Sequence, residues 1–218
     1  IVAQHDAWGQ AKYDGVMKVL NEKGIKVVAD EEMTADTADA TPQALRIAKA
    51  EPDVIITDLY PIPTVVFLRA AHQYGLTKKP IILHTSINDL VQLDKDLGLP
   101  GALENAYTVT FTRDPNDPEL DHWNDKLTAI APEVRLTPYS MWGLTGAQVV
   151  AHALELAGRD LTRESFIKAM QSMRDFQPDT IFGPINYYPD DHEGNRTGMF
   201  QKLHNGQQVD VGLEYKKF

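Results

Sequence analysis

The first 112 residues alternate apolar, β-branched runs with helix-patterned stretches, and this alternation restricts the fold more than any other feature of the chain. Ile1–Gln4 reads as a strand. From Trp8 to Glu22, the positions Trp8, Ala11, Gly15, Val16, Val19 and Leu20 form an apolar stripe at helical spacing, and Gly24 supplies a stop. Ile25–Ala29 reads as a second strand, with Val27 and Val28 favouring the pleat. After the polar stretch 30–40, Thr41-Pro42 provides an N-cap and a proline at the first helical position. Asp53–Leu59 is a near-continuous apolar run of the kind a strand needs when both faces are covered. A helix from Pro61 to Tyr74 ends at Gly75, Pro80–Leu83 is another strand, a helix starts near Asn88, and Ala106–Thr112 is a fifth strand. The pattern predicts an α/β fold with a doubly wound, mostly parallel sheet.

The pattern breaks at Arg113–Glu119, where two prolines and three acidic residues read as a crossover. Helices are predicted over about Glu119–Ile130, Ser140–Ala157 and Thr162–Met173, the last capped by Thr162. An extended segment, Thr180–Tyr188, bends at Gly183-Pro184. Gly198–His204 and Gln208–Tyr215 flank Asn205-Gly206, a strong hairpin signal.

Composition excludes several function classes. The net charge of −10, with Lys and Arg scattered, argues against nucleic acid. Without cysteine there are no disulfides, Cys-based zinc sites or thiol catalysis. No apolar run reaches the roughly 18–20 residues of a membrane span. The opening on Ile1-Val2, without a leader, reads as a truncation, a processing site or an artificial boundary.

No G-x-G-x-x-G, P-loop, G-x-S-x-G or H-E-x-x-H motif occurs, and the seven histidines form no i, i+4 pair. His72 and His152 read as satisfied or surface histidines. Asp190-Asp191-His192-Glu193 lacks the register of a Ca²⁺ loop and reads as a solvated turn, while Asp114, Asp117 and Asp121 read as linker solvation. Asn195-Arg196-Thr197 fits a glycosylation sequon, a pattern common by chance. A hydrolase built on Ser86 or Ser140 finds no supporting motif. The expectation is therefore a chain with no catalytic residues, no metal and no cofactor.

In parallel sheets ligands sit at the carboxyl ends of the strands. There the sequence offers Asp6-Ala7-Trp8 after the first strand, Tyr60-Pro61 after the third and Thr85-Ser86 after the fourth. Aromatic faces, hydroxyls and helix N-termini suit a small polar ligand. Equally, Trp8 reads as its helix's first core contact and Tyr60 as a rim residue. Asp6, Trp8, Tyr60, Thr85 and Ser86 are the candidate ligand-binding residues.

Several segments resemble the type I periplasmic solute-binding proteins of ABC importers, specifically the branched-chain amino acid (leucine/isoleucine/valine-binding) receptor family. Asp6-Ala7-Trp8-Gly9 resembles that family's D-x-[aromatic]-G entry to the first helix of its second lobe. The resemblance continues, in family order, through Asp39–Gln43 with Ala50–Ile55, Phe67–Leu76, Ala153–Glu164, Gly183–Ile185, Asp191–Arg196 and Asn205-Gly206. It implies the C-terminal portion of the bilobed fold. Residues 1–112 would be lobe two, 113–197 a remnant of lobe one and 198–218 a hairpin returning to lobe two. It also implies a small polar solute, an amino acid or related compound, held between lobes by hinge closure in a periplasmic or extracytoplasmic protein. The implied partners are that ligand and membrane permease subunits, with no nucleic acid. Apolar surface from Met141 to Leu156 on the lobe-one remnant would offer a route to self-association. A ligand-sensing domain of a receptor or transcriptional regulator is the alternative implied by the same fold. Two departures stand out: Thr85 or Ser86 falls where amino-acid binders often place an acidic residue, and Leu144–Ala147 replaces a common Tyr-Asp-Ala. The second, with Trp142 nearby, is similar to branches that bind aromatic acids, amides or other small organic solutes.

Overall fold

The computed structural model describes residues 1–216. Lys217 and Phe218, the end of the expected 198–218 hairpin segment, lie outside the described residues. Seven strands, β1 (Val2–Gln4), β2 (Glu31–Met33), β3 (Ile55–Asp58), β4 (Ile81–Leu83), β5 (Ala106–Thr110), β6 (Thr197–His204) and β7 (Gln207–Lys216), form one sheet in the order β2-β1-β3-β4-β5-β6-β7. The pairs among β1 to β5 are parallel, with Val2 opposite Glu31 and Thr57, and Ile81 opposite Ile55 and Ala106. The expected doubly wound sheet is present. Helices α1 (Ala7–Glu22), α2 (Thr41–Ala50), α3 (Pro61–Gln73) and α4 (Leu90–Leu97) connect its parallel strands.

The chain divides into two compact units: residues 1–109 with 200–211, and residues 110–199 with those from 212 onward. It passes from one to the other three times.

The first unit packs one continuous core. Val2, Ile55, Ile81 and Ala106 of the parallel strands meet Ala44 and Ile47 of α2, Phe67 and Leu68 of α3, and Leu90 and Leu93 of α4. Phe67, Leu68 and Leu90 are fully enclosed. The β6–β7 hairpin turns at Asn205 and Gly206, both with positive φ, as a type I′ turn requires. Gln208 fastens the hairpin to α4: its Oε1 accepts from the Leu90 N–H at 2.7 Å and its Nε2 donates to the Asn88 carbonyl at 3.0 Å.

The second unit holds α5 (Asp121–Ile130), α6 (Pro138–Ala157) and α7 (Arg163–Ser172). Helices α6 and α7 each begin with a capping box, Thr137 with Ser140 and Thr162 with Ser165. Two small clusters form its core, one around Val149, Ala153, Met173, Ile181 and Ile185, the other around Leu120, Leu136 and Met141. Residues 180–188 make isolated antiparallel bridges, Thr112 with Ile181 and Phe176 with Ile185, in place of a regular strand. The acidic segment is anchored: Arg113 pairs with Asp117 and Glu119.

Three local expectations change. Residues 25–29 are not a strand, and Ile25 and Val28 are exposed. β2 forms later, at Glu31–Met33, where the buried Glu31 carboxylate receives two bonds from Arg46, at 2.7 and 2.6 Å. Thr41 is the first residue of α2, not its cap; Ala40 occupies that position and Asp39 accepts the Thr41 N–H. Finally, Met141, Val149 and Ala153 of α6 are buried, while Tyr139, Val150, Leu154 and Leu156 are exposed.

Candidate functional site

β1, β3 and β4 lie side by side, so the residues after their carboxyl ends collect in one place. Asp6 caps α1, its Oδ1 accepting the Gly9 N–H at 2.9 Å. Gly9 is demanded by space: a Cβ there would stand 1.8 Å from the Gln4 carbonyl oxygen. That close approach seats the first turn of α1, with Trp8, directly on the end of β1. Tyr60 precedes Pro61, which holds it extended (φ −65°, ψ 163°) and starts α3 without a side-chain cap. Its N–H reaches the Oε1 of the buried Gln4 at 3.4 Å, tying the end of β3 to that of β1.

The rings meet as a result. Trp8 stacks on Tyr60 with centroids 4.6 Å apart and planes inclined 27°. The His84 ring, immediately after β4, meets Trp8 edge to face at 4.6 Å and 74°. The Asp6 carboxylate beside the Tyr60 hydroxyl pushes the phenol pKa up. The Gly9 N–H above all, with the Tyr60 hydroxyl assisting, holds the Asp6 carboxyl below its usual value.

His84 is not among the residues expected from sequence, although its place directly after a strand is a usable signal. Its Nδ1 accepts the Ser86 N–H at 3.0 Å and lies 3.0 Å from the Ser86 Oγ. With the amide as donor, the proton of the neutral ring resides on Nε2. Burial, helped by the Lys12 ammonium, lowers the ring's pKa from 6.5 to about 4, so it is neutral at pH 7. Of the expected residues, Asp6, Trp8 and Tyr60 are brought together. Ser86 enters through His84, and the half-buried Thr85 shares its turn.

Two further features adjoin the rings. Lys12 Nζ is 6.0 Å from the Trp8 ring centroid. Asp58, 6% exposed at the end of β3, has an Oδ2 without a hydrogen-bond partner, and burial raises its pKa against the opposing pull of Lys12. A separate cavity of 360 Å³ is lined by Ala3, Gln4, Gln10, Tyr13, Asp30 and Glu32. None of the ring residues lines it, and its acids are engaged, Asp30 by the Tyr13 hydroxyl at 2.6 Å and Glu32 by His5 at 2.7 Å.

The family model described as periplasmic binding protein matches residues 1–208. The chain belongs to the periplasmic binding protein family. Solved structures agree on the type I fold of that family. A branched-chain amino acid ABC transporter protein from Thermus thermophilus with bound valine superposes with a TM-score of 0.86 at 18% identity, over 99% of this chain and 59% of that one. A fatty acid ABC transporter substrate-binding protein from Thermomonospora curvata gives 0.77 at 24% identity, over 99% and 56%. A protein described as a putative branched-chain amino acid ABC transporter from Rhodospirillum rubrum gives 0.78 at 17%, over 96% and 59%. This periplasmic binding protein chain therefore spans between 56% and 59% of the length of these relatives. No curated protein matches the sequence.

Proposed function

We propose that this chain is part of the solute-binding component of an ABC importer, and that Asp6, Trp8, Tyr60, Thr85 and Ser86 form one wall of its solute site. The observation that carries the reading is the Trp8–Tyr60–His84 ring cluster at the carboxyl ends of three adjacent parallel strands. Stacked rings offer a flat apolar face, while the Asp6 cap and the Ser86 turn offer polar atoms beside it. In the same reading, residues 1–112 with 198–218 act as lobe two and residues 113–197 belong to lobe one. A solute that touches both lobes stabilises the closed form, which is what a permease would recognise. The protein acts outside the cytoplasm. Membership in a family of binding proteins, and relatives described with an amino acid or a fatty acid, support a binding role rather than catalysis.

Titration calorimetry with a panel of amino acids and organic acids tests this, using the chain together with whatever flanking sequence its gene encodes. Trp8→Ala and Tyr60→Ala should each weaken binding of the solute found by about tenfold or more, in line with loss of an aromatic anchor. Unchanged affinity in both variants would place the solute elsewhere.

A further inference from the structure

We propose that His84 is a specificity-determining residue that donates an Nε2–H hydrogen bond to a carboxylate of the solute, so that the site takes an organic acid with a flat apolar body. The inference rests on the ring cluster being the solute wall and deepens that reading. Four observations converge on it. The Ser86 amide occupies Nδ1 and fixes the tautomer, leaving Nε2 as donor, and no group among the described residues accepts from it. The ring meets Trp8 edge to face at 4.6 Å, which seats the imidazole beside the Trp8–Tyr60 stack. Lys12, exposed and without an ion-pair partner among the described residues, brings a positive charge to within 6.0 Å of the Trp8 ring. The nearby acids are poorly placed to take a solute ammonium: Asp6 is engaged in capping α1 through the Gly9 N–H, and Asp58 is shut in at 6% exposure.

The electrostatic logic is that of any partly desolvated anion site. A carboxylate leaving water requires fixed donors and gains from a nearby cation, whereas an ammonium requires an accessible acceptor. A neutral imidazole, an ammonium and flat rings provide the first set and not the second. The body of the solute is then read by the stacked rings, which favour a planar apolar group.

The experiment compares benzoate, benzylamine, L-phenylalanine and L-valine by calorimetry, on the chain with its natural flanking sequence. Benzoate should bind more tightly than benzylamine. His84→Leu should weaken benzoate by about tenfold or more, the loss expected for a hydrogen bond to a charged group. His84→Gln, which keeps a side-chain N–H, should recover most of that affinity. In ¹⁵N-resolved spectra the Nε2–H signal should move with benzoate and not with benzylamine. Preference for benzylamine, binding of either amino acid without benzoate, or binding by none of the four overturns the inference. If Trp8→Ala abolishes benzoate binding but His84→Leu does not, the role of His84 fails while the site stands. If Trp8→Ala and Tyr60→Ala leave benzoate binding intact, the site reading itself is wrong.

Discussion

At the scale of single residues, the Trp8–Tyr60–His84 ring cluster depends on one glycine and one histidine. Gly9→Ala would drive a methyl group into the Gln4 carbonyl, a backbone atom that cannot move without shifting β1. We expect a loss of about 3 kcal/mol in denaturant unfolding, together with loss of the Trp8–Tyr60 contact in near-ultraviolet dichroism. The histidine makes stability depend on pH. An unfolded chain protonates this ring near 6.5 and the folded one only near 4. Its contribution is therefore complete above 6.5 and is lost as pH falls toward 4. Asp58, whose carboxyl is raised by burial, works in the opposite sense, so the contrast must be made within one background. His84→Gln should flatten the decline in Tm between about pH 7.5 and about pH 4.5; an unaltered decline would remove His84 from the account. Trp8 and Tyr60 are legible in the sequence because a strand's end announces itself. His84 stands at a strand's end too, but its tautomer and its low pKa come from the Ser86 amide and from burial, which only folding supplies.

At the scale of elements, local chemistry decides where each one starts, and tertiary pairing decides which apolar runs become strands. Thr162 illustrates the first: its side chain accepts the Ser165 N–H at 3.0 Å and Ser165 returns the bond. Thr162→Ala should cost about 1 kcal/mol, read as a lower Tm, whereas Thr162→Asp should cost little. The capping motif is written in consecutive residues, so it can be read from them directly. Val27 and Val28 illustrate the second. Their β propensity suggests a strand, yet Glu31, Glu32 and Met33 pair with β1. What makes Glu31 acceptable in a ladder is Arg46, fifteen residues on and in α2. No window of sequence around residue 28 contains that partner. The seven-stranded order is likewise legible in kind, as a parallel doubly wound sheet, and 180–188 as an extended, bent segment, but the pairing of that segment is not. Its bridges to Thr112, Phe176 and Asn195 include joins between distant stretches of chain.

At the scale of the whole molecule, the two units differ in how much they bury. Buried residues of the first unit form one continuous cluster spanning its strands and α2 to α4. Those of the second fall into separate groups of five and three, and α5 has no buried residue, with Ile130 85% exposed. Local opening follows burial, so amide hydrogen exchange should be slowest in β1, β3 and β4 and fastest in α5. Mass-spectrometric exchange would check this; α5 protected as well as β3 would contradict it.

The triple passage of the chain between its units has a consequence for proteolysis. Residues 113–119 lie just past the first passage, and a protease cutting there leaves an upstream piece ending in β5 and a downstream piece that contributes β6 and β7 to the same sheet. Each piece carries strands the other needs, so the severed chain should elute from a native column as one species and separate only in detergent. The molecule is sewn with more than one thread, and a single snip does not open the seam.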